Sequence, residues 1–347
     1  MKREEHILVI RLSALGDCAI SAPLVKEYAR QNPSIRFYML SQPRYKAMFD
    51  GVENLEFIPF NTNKNAEDYC GGPLAIIRTA WAISRKYKIT KVADLHDVLR
   101  TKLIRFALSL KFISGKKINK RRKEREALCR AENKVLRPII KSQRCMEEVL
   151  VKSGLTDLNF TVQGAIEYKP AGPNEIRRIG IAPFAKHKGK AWPLDHMETV
   201  IKNLIGNPFN QIYLYGGGDK ETAVLKRWSE KYPNTQLVAG KHTMKEELES
   251  MSMLNVMISM DSANMHLASL AGTPVVCIWG ATHPYAGYNG WRQNPENAIQ
   301  VPMECRPCSI FGAKPCYRED YACLFKVTPD MVLKRVYEIL NETTENK

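Results

Sequence analysis

The sequence predicts an α/β protein made of two doubly wound parallel-sheet domains that face each other across a cleft. Three observations carry this expectation. The chain has 347 residues, more than one hydrophobic core usually serves. Short apolar, β-branched runs alternate with stretches of helical periodicity, the pattern of a parallel sheet covered by helices. The alternation breaks near the middle and restarts after a polar, Pro- and Gly-containing stretch, residues 167–174, which reads as a linker. The expected boundaries are 1–168 for the first domain and 175–330 for the second, with a C-terminal helix and tail over 331–347 packing back on the first.

The first half opens with an apolar strand at 6–12, a short turn at 13–17 and a helix at 18–31. Strands follow at 35–40 and 55–59, then a helix at 73–86 and a buried strand at 92–95. From 110 to 137 the pattern is lost, and an amphipathic helix is expected over 137–153. The second half gives strands at 178–183, 211–215, 256–259 and 274–279. Between them lie helices at 194–204, 221–232, 244–253 and 262–271, with Gly272 at the left-handed position that ends the last.

Composition narrows the partners. The apolar share of 44% is ordinary for a globular protein, but 52 Lys and Arg against 36 Asp and Glu leave a net charge of +16. Such an excess favours polyanions: nucleic acid, an anionic membrane face, or a phosphorylated or carboxylated substrate. Residues 116–125 hold seven basic side chains with no aromatic among them. Stacking on single-stranded nucleic acid is therefore unsupported, and no nucleic-acid partner is expected. The apolar run at 7–10 is too short for a signal-peptide core, and no run approaches the ~20 apolar residues that span a bilayer. A cytoplasmic protein is expected, with peripheral contact at the inner membrane face.

Four segments carry chemistry. In Asp261-Ser262-Ala263-Asn264-Met265-His266 a buried strand gives way at once to a helix. The unpaired N–H groups of a helix start suit a pyrophosphate; Ser262 adds a hydroxyl, and His266 lies one turn further in. Asp17, after Ser13 and Gly16, can take a proton from an attacking hydroxyl or serve as an N-terminal cap of the first helix, or do both. Lys190, in Lys190-Ala191-Trp192-Pro193, is a point charge suited to phosphate. Gly216-Gly217-Gly218 at a strand end lets a ligand approach, and either Asp219 or Glu221 is the acid that binds ribose hydroxyls.

In this order the segments resemble glycosyltransferase family 9, the heptosyltransferases of lipopolysaccharide core assembly. The family signature of Asp, Ser or Thr, Gly, two variable residues, His, aliphatic, Ala is matched at 261–268, with Ala263 in place of its Gly. The resemblance implies a GT-B fold of two Rossmann-like domains and an inverting, metal-independent transfer. The donor would be a nucleotide diphosphate sugar, ADP-heptose, and the acceptor an anionic glycolipid, the lipopolysaccharide inner core. Asp17 becomes the catalytic base; Lys190, Gly217, Asp219, Glu221, Asp261, Ser262, Ala263 and His266 bind the donor; Ser13, Gly16, Arg100 and Lys102 bind the acceptor. No Asp-x-Asp metal motif occurs in the chain, so no cofactor is expected for catalysis.

Nine cysteines are present; five are scattered, and Cys305, Cys308, Cys316 and Cys323 gather near the C-terminus. Four thiolates can hold a structural zinc. Packed free thiols or a disulfide are the alternatives. Two other functions fit the same features: an epimerase on the same architecture, or a polyanion-binding protein with a degenerate nucleotide site.

Overall fold

The computed structural model describes residues 4–61, 70, 72–159, 165–169, 171–172 and 174–341. It divides into two compact units, Met1–Lys120 with Lys141–Gln163, and Arg121–Ile140 with Gly164–Lys347.

The first unit holds β1 (Glu5–Ile10), α1 (Leu15–Gln31), β2 (Ile35–Ser41), β3 (Leu55–Pro59), α2 (Pro73–Lys86), β4 (Lys91–Asp94), α3 (Leu99–Ser109) and β5 (Ser114–Lys117). Its five strands are all parallel, in the order β3-β2-β1-β4-β5. Every β1 residue from His6 to Ile10 is buried, as expected of a central strand with both faces covered. The chain runs outward from β1 through β2 to β3 and then returns to β4 on the other side of β1, so the order reverses between β1 and β4. That reversal places a crevice at their carboxyl ends.

A short helix, α4 (Arg122–Leu128), belongs to the second unit, whereas α5 (Ser142–Lys152) returns to the first. The second unit continues with β6 (Arg177–Ala182), α6 (Leu194–Leu204), β7 (Asn210–Leu214), α7 (Asp219–Lys231), β8 (Thr235–Leu237) and α8 (Met244–Ser252). After these come β9 (Val256–Met260), α9 (Ala263–Leu270), β10 (Val275–Ile278), β11 (Ala298–Ile299), α10 (Ala322–Phe325) and α11 (Pro329–Asn341). Six parallel strands run β11-β10-β9-β6-β7-β8, and the order reverses between β6 and β9.

The architecture is the expected GT-B pair of parallel-sheet domains. Two boundaries differ from the sequence reading. Residues 121–140 pack on the second unit: the Arg125 guanidinium lies 4.4 Å from the centre of the Tyr288 ring, and Ile139 N–H donates to the Tyr285 carbonyl at 3.0 Å. The second unit also begins earlier than expected, since Ile166 N–H donates to Arg292 O at 2.8 Å and the Tyr168 hydroxyl accepts from Arg335 at 2.7 Å. Within the second unit, α11 packs on α6, β9 and β10. Of the expected linker, residues 170 and 173 lie outside the described residues, as do 342–347 of the expected tail.

Candidate active site

The carboxyl end of β1 places a charged cluster in the first unit. Arg11, 6% exposed, closes the strand. Its Nη1 donates to the Leu95 carbonyl at 2.6 Å, and its Nη2 lies 2.6 Å from Asp17 Oδ2. The same carboxylate oxygen accepts the Ala14 N–H at 3.3 Å, so Asp17 clips the entry to α1 while presenting its carboxylate beside a buried cation. Asp17 is not itself the cap expected from the sequence: Ala14 holds that position, and Asp17 lies three residues on, inside the first turn of α1.

The neighbouring strand end is organised by Asp94, fully buried, which accepts the N–H groups of His96 and Asp97, each at 2.9 Å, and Arg105 Nε at 2.9 Å. Arg105 Nη2 reaches Asp97 at 2.9 Å. His96 Nδ1 accepts the Leu12 N–H at 3.4 Å and so joins the β1 and β4 loops. Burial above all, and then the Arg11 charge, push the His96 pKa down to about 3, so the ring is neutral and serves as an acceptor. Ser13, just before α1, and Gly16, in its first turn, are half-buried, whereas Arg100 and Lys102 are exposed in the first turn of α3. Among the described residues no hydrogen bond or ion pair joins those two cations to Asp17.

In the second unit the cluster sits where the strand order reverses. The loop after β6 ends in Lys190, whose Nζ lies 2.8 Å from Asp261 Oδ2 at the end of β9; the two side chains are only 15% and 5% exposed. Trp192 anchors this loop, donating its N–H to Met260 Sδ at 3.4 Å and its indole N–H to the Val327 carbonyl at 3.0 Å. Two glycines seat the lysine. A Cβ on Gly189 would stand 2.9 Å from both Ala281 and Gly312, and one on Gly312 (φ +72°) would stand 2.6 Å from Lys190 Cγ.

Asp261 is therefore the residue that positions the lysine, not the cap of the following helix. The cap position belongs to Ser262, in extended conformation, with Ala263 the first helical residue. The Ser262 hydroxyl makes no cap bond and lies 3.4 Å from Ser259 Oγ. The first turn of α9 thus has no side-chain cap, and its N–H groups with the helix dipole favour an anion. His266 is buried one turn into α9. The third loop is held by its own acid: Glu221 Oε2 accepts the Gly217 N–H at 2.9 Å, whereas Asp219 is exposed at the start of α7. A Cβ on Gly217 would meet nothing within 4 Å, which leaves that backbone open.

Sequence reasoning did not single out Arg11, Gly189, Gly312, His96 or Arg105 as site residues. A cation directly after an apolar strand was a readable signal for Arg11; nothing local marked Gly312.

All four C-terminal cysteines are free thiols around one small cavity, and among the described residues no three His, Cys, Asp or Glu side chains converge to hold a metal ion. The segment is held instead by the buried guanidinium of Arg306, whose Nε donates to Gly280 O at 2.5 Å and whose Nη2 donates to Thr282 O at 3.0 Å. Burial pushes the Cys323 thiol up to about 11.

Residues 154–312 match glycosyltransferase family 9 (heptosyltransferase). The chain is similar to lipooligosaccharide heptosyltransferase 2 of Campylobacter jejuni, 22% identical over 197 residues that cover 54% of this chain and 60% of that protein. It spans about half the length of the curated relatives it matches. In fold it is similar to a family 9 glycosyltransferase from Veillonella parvula (TM-score 0.73, 17% identity, 99% of each chain covered). It is also similar to the ADP-heptose lipopolysaccharide heptosyltransferase II of E. coli (TM-score 0.66, 16% identity, 96% of this chain and 98% of that one).

Proposed function

We propose that the chain, whose residues 154–312 match glycosyltransferase family 9, transfers heptose from ADP-heptose to an anionic, lipid-borne inner-core acceptor of lipopolysaccharide. The observation that carries this reading is the Lys190–Asp261 pair at the strand-order reversal, beside an α9 start with no side-chain cap. A cation held in place by a buried acid, next to unpaired N–H groups, suits a diphosphate. The names of relatives support a heptosyl donor and a lipopolysaccharide acceptor.

The reaction is a single displacement with inversion. The acceptor hydroxyl gives its proton to the Asp17 carboxylate while its oxygen forms the new bond to the anomeric carbon. The bond from that carbon to the diphosphate oxygen breaks, and ADP leaves with the electron pair. Lys190 and the α9 N–H groups stabilise the charge that develops on the leaving group. Arg11 orients the carboxylate. These cationic groups do the work a divalent ion does elsewhere, so the transfer is metal-independent, and it proceeds at the cytoplasmic membrane face.

Calorimetric titration with ADP and UDP, together with turnover of ADP-heptose in chelator, tests the reading. ADP should bind more tightly than UDP, turnover should survive the chelator, and the product should have the inverted anomeric configuration. Preference for UDP, or a chelator-dependent rate, would overturn the donor or the metal-independent step respectively.

A further inference from the structure

The outer faces of α2 and α3 hold large apolar side chains that the first unit does not bury. On α3, Leu99 and Phe106, with Leu110 at its C-cap, are 74%, 58% and 57% exposed, and their spacing of seven and four residues puts them in one stripe. On α2, Leu74 and Trp81 are 71% and 38% exposed, again seven residues apart. The stripes lie side by side, because the Trp81 indole N–H donates to the Ala107 carbonyl at 2.9 Å. Just past α3, Phe112 stands 98% exposed at a left-handed turn (φ +58°). Single exposed apolar residues are ordinary, but a contiguous set on two packed helices is a docking surface.

Its chemistry is one-sided. Residues 73–91 and 98–120 contain twelve Lys and Arg and no Asp or Glu. Lys111 Nζ lies 5.7 Å from the centre of the Trp81 ring. Arg85, Lys88 and Lys111 line a groove of about 720 Å³ that Phe112 and Ile113 also border. Glu4, its one acid, lies 3.6 Å from His6 on the same wall.

We infer that this α2–α3 face docks on an anionic phospholipid bilayer, with Leu99, Phe106 and Phe112 entering the headgroup–acyl boundary and the Lys and Arg side chains meeting lipid phosphates. Apolar side chains ringed by cations, with Glu4 the one acid lining the groove, match a surface that is apolar inside and negative outside; a nucleic-acid ligand offers no such interior. The inference rests on the proposed function only in that a lipid-borne acceptor is reached from this surface.

Flotation of the full chain with vesicles that contain no glycolipid tests it. Retention should be strong on phosphatidylcholine vesicles containing phosphatidylglycerol and at least tenfold weaker on phosphatidylcholine alone. The L99Q/F106Q/F112N variant, and separately K88E/K111E, should each lose at least tenfold of the retention on anionic vesicles, with unchanged thermal melts and ADP affinity. Equal retention on both vesicles, or a triple variant that floats like wild type, overturns the inference; the latter result would mean a surface that attracts any polyanion. Transfer to a water-soluble acceptor is measured in parallel. Its loss in wild type would count against the enzymatic reading while leaving the lipid result to stand by itself.

Discussion

At the residue scale the second unit turns on one ion pair. Lys190→Ala removes a charge-assisted contact, each worth about 1.5–3 kcal/mol, so ADP affinity in calorimetry should fall by roughly ten- to a hundredfold. It also strands Asp261, 5% exposed, as a buried acid without its cation, so the melting temperature should fall as well. Asp17→Asn behaves differently: kcat should drop by about 10²–10⁴, the usual share of a general base, while ADP binding is preserved. A variant that kept the wild-type rate would remove Asp17 from the chemistry. His96 yields a pH prediction. Its folded-state pKa, about 3, lies below the ordinary histidine value of 6.5, so between these pH values the unfolded chain binds more protons than the folded one. Stability is therefore full above pH 6.5 and declines as the pH falls towards 3; thermal melts from pH 7.5 to 4.5 should show this slope, reduced in His96→Asn. Asp17, Lys190 and Ser262 were legible because each stands in a short local pattern at a strand end. Arg11's partnership with Leu95 and Lys190's with Gly312 were not, because those partners meet only through the sheet.

At the element scale the glycines and caps make separable claims. Gly312→Ala sets a Cβ 2.6 Å from Lys190 Cγ at a position where φ is +72°, so the lysine must shift. Donor KM should rise several-fold in steady-state assays although no ligand-contacting group has been removed. Thr243 caps α8 through a reciprocal pair: its hydroxyl accepts the Glu246 N–H at 3.4 Å, and Glu246 Oε2 accepts the Thr243 N–H at 2.7 Å. Thr243→Ala should cost about 0.5–2 kcal/mol in denaturant titration and leave turnover intact. Among the longer elements α2 and α6 match the sequence reading to the residue, whereas α3, also eleven residues long, was not read as a helix. The strands β5, β8 and β11, of four, three and two residues, were missed; so few positions show no period, and their pairing partners define them.

At the scale of the whole chain, two sheets could be inferred from two blocks of alternation, but ownership of residues 121–140 could not. Their seam with the second unit is made by Arg125 on Tyr288 and by Lys134 Nζ donating to the Glu304 carbonyl at 2.8 Å, contacts that bridge more than 150 positions. The Lys190–Asp261 pair has one last consequence. A cation that already carries its own counter-ion offers a passing chloride or orthophosphate only a fraction of a unit charge. The pair itself is close to electrically neutral, so beyond the lysine's directed contact and the α9 N–H groups a ligand is retained by what its base and sugar add. Millimolar orthophosphate should consequently be a poor inhibitor, and a spent nucleotide, stripped of its sugar, should depart without having to be pulled from an open positive well.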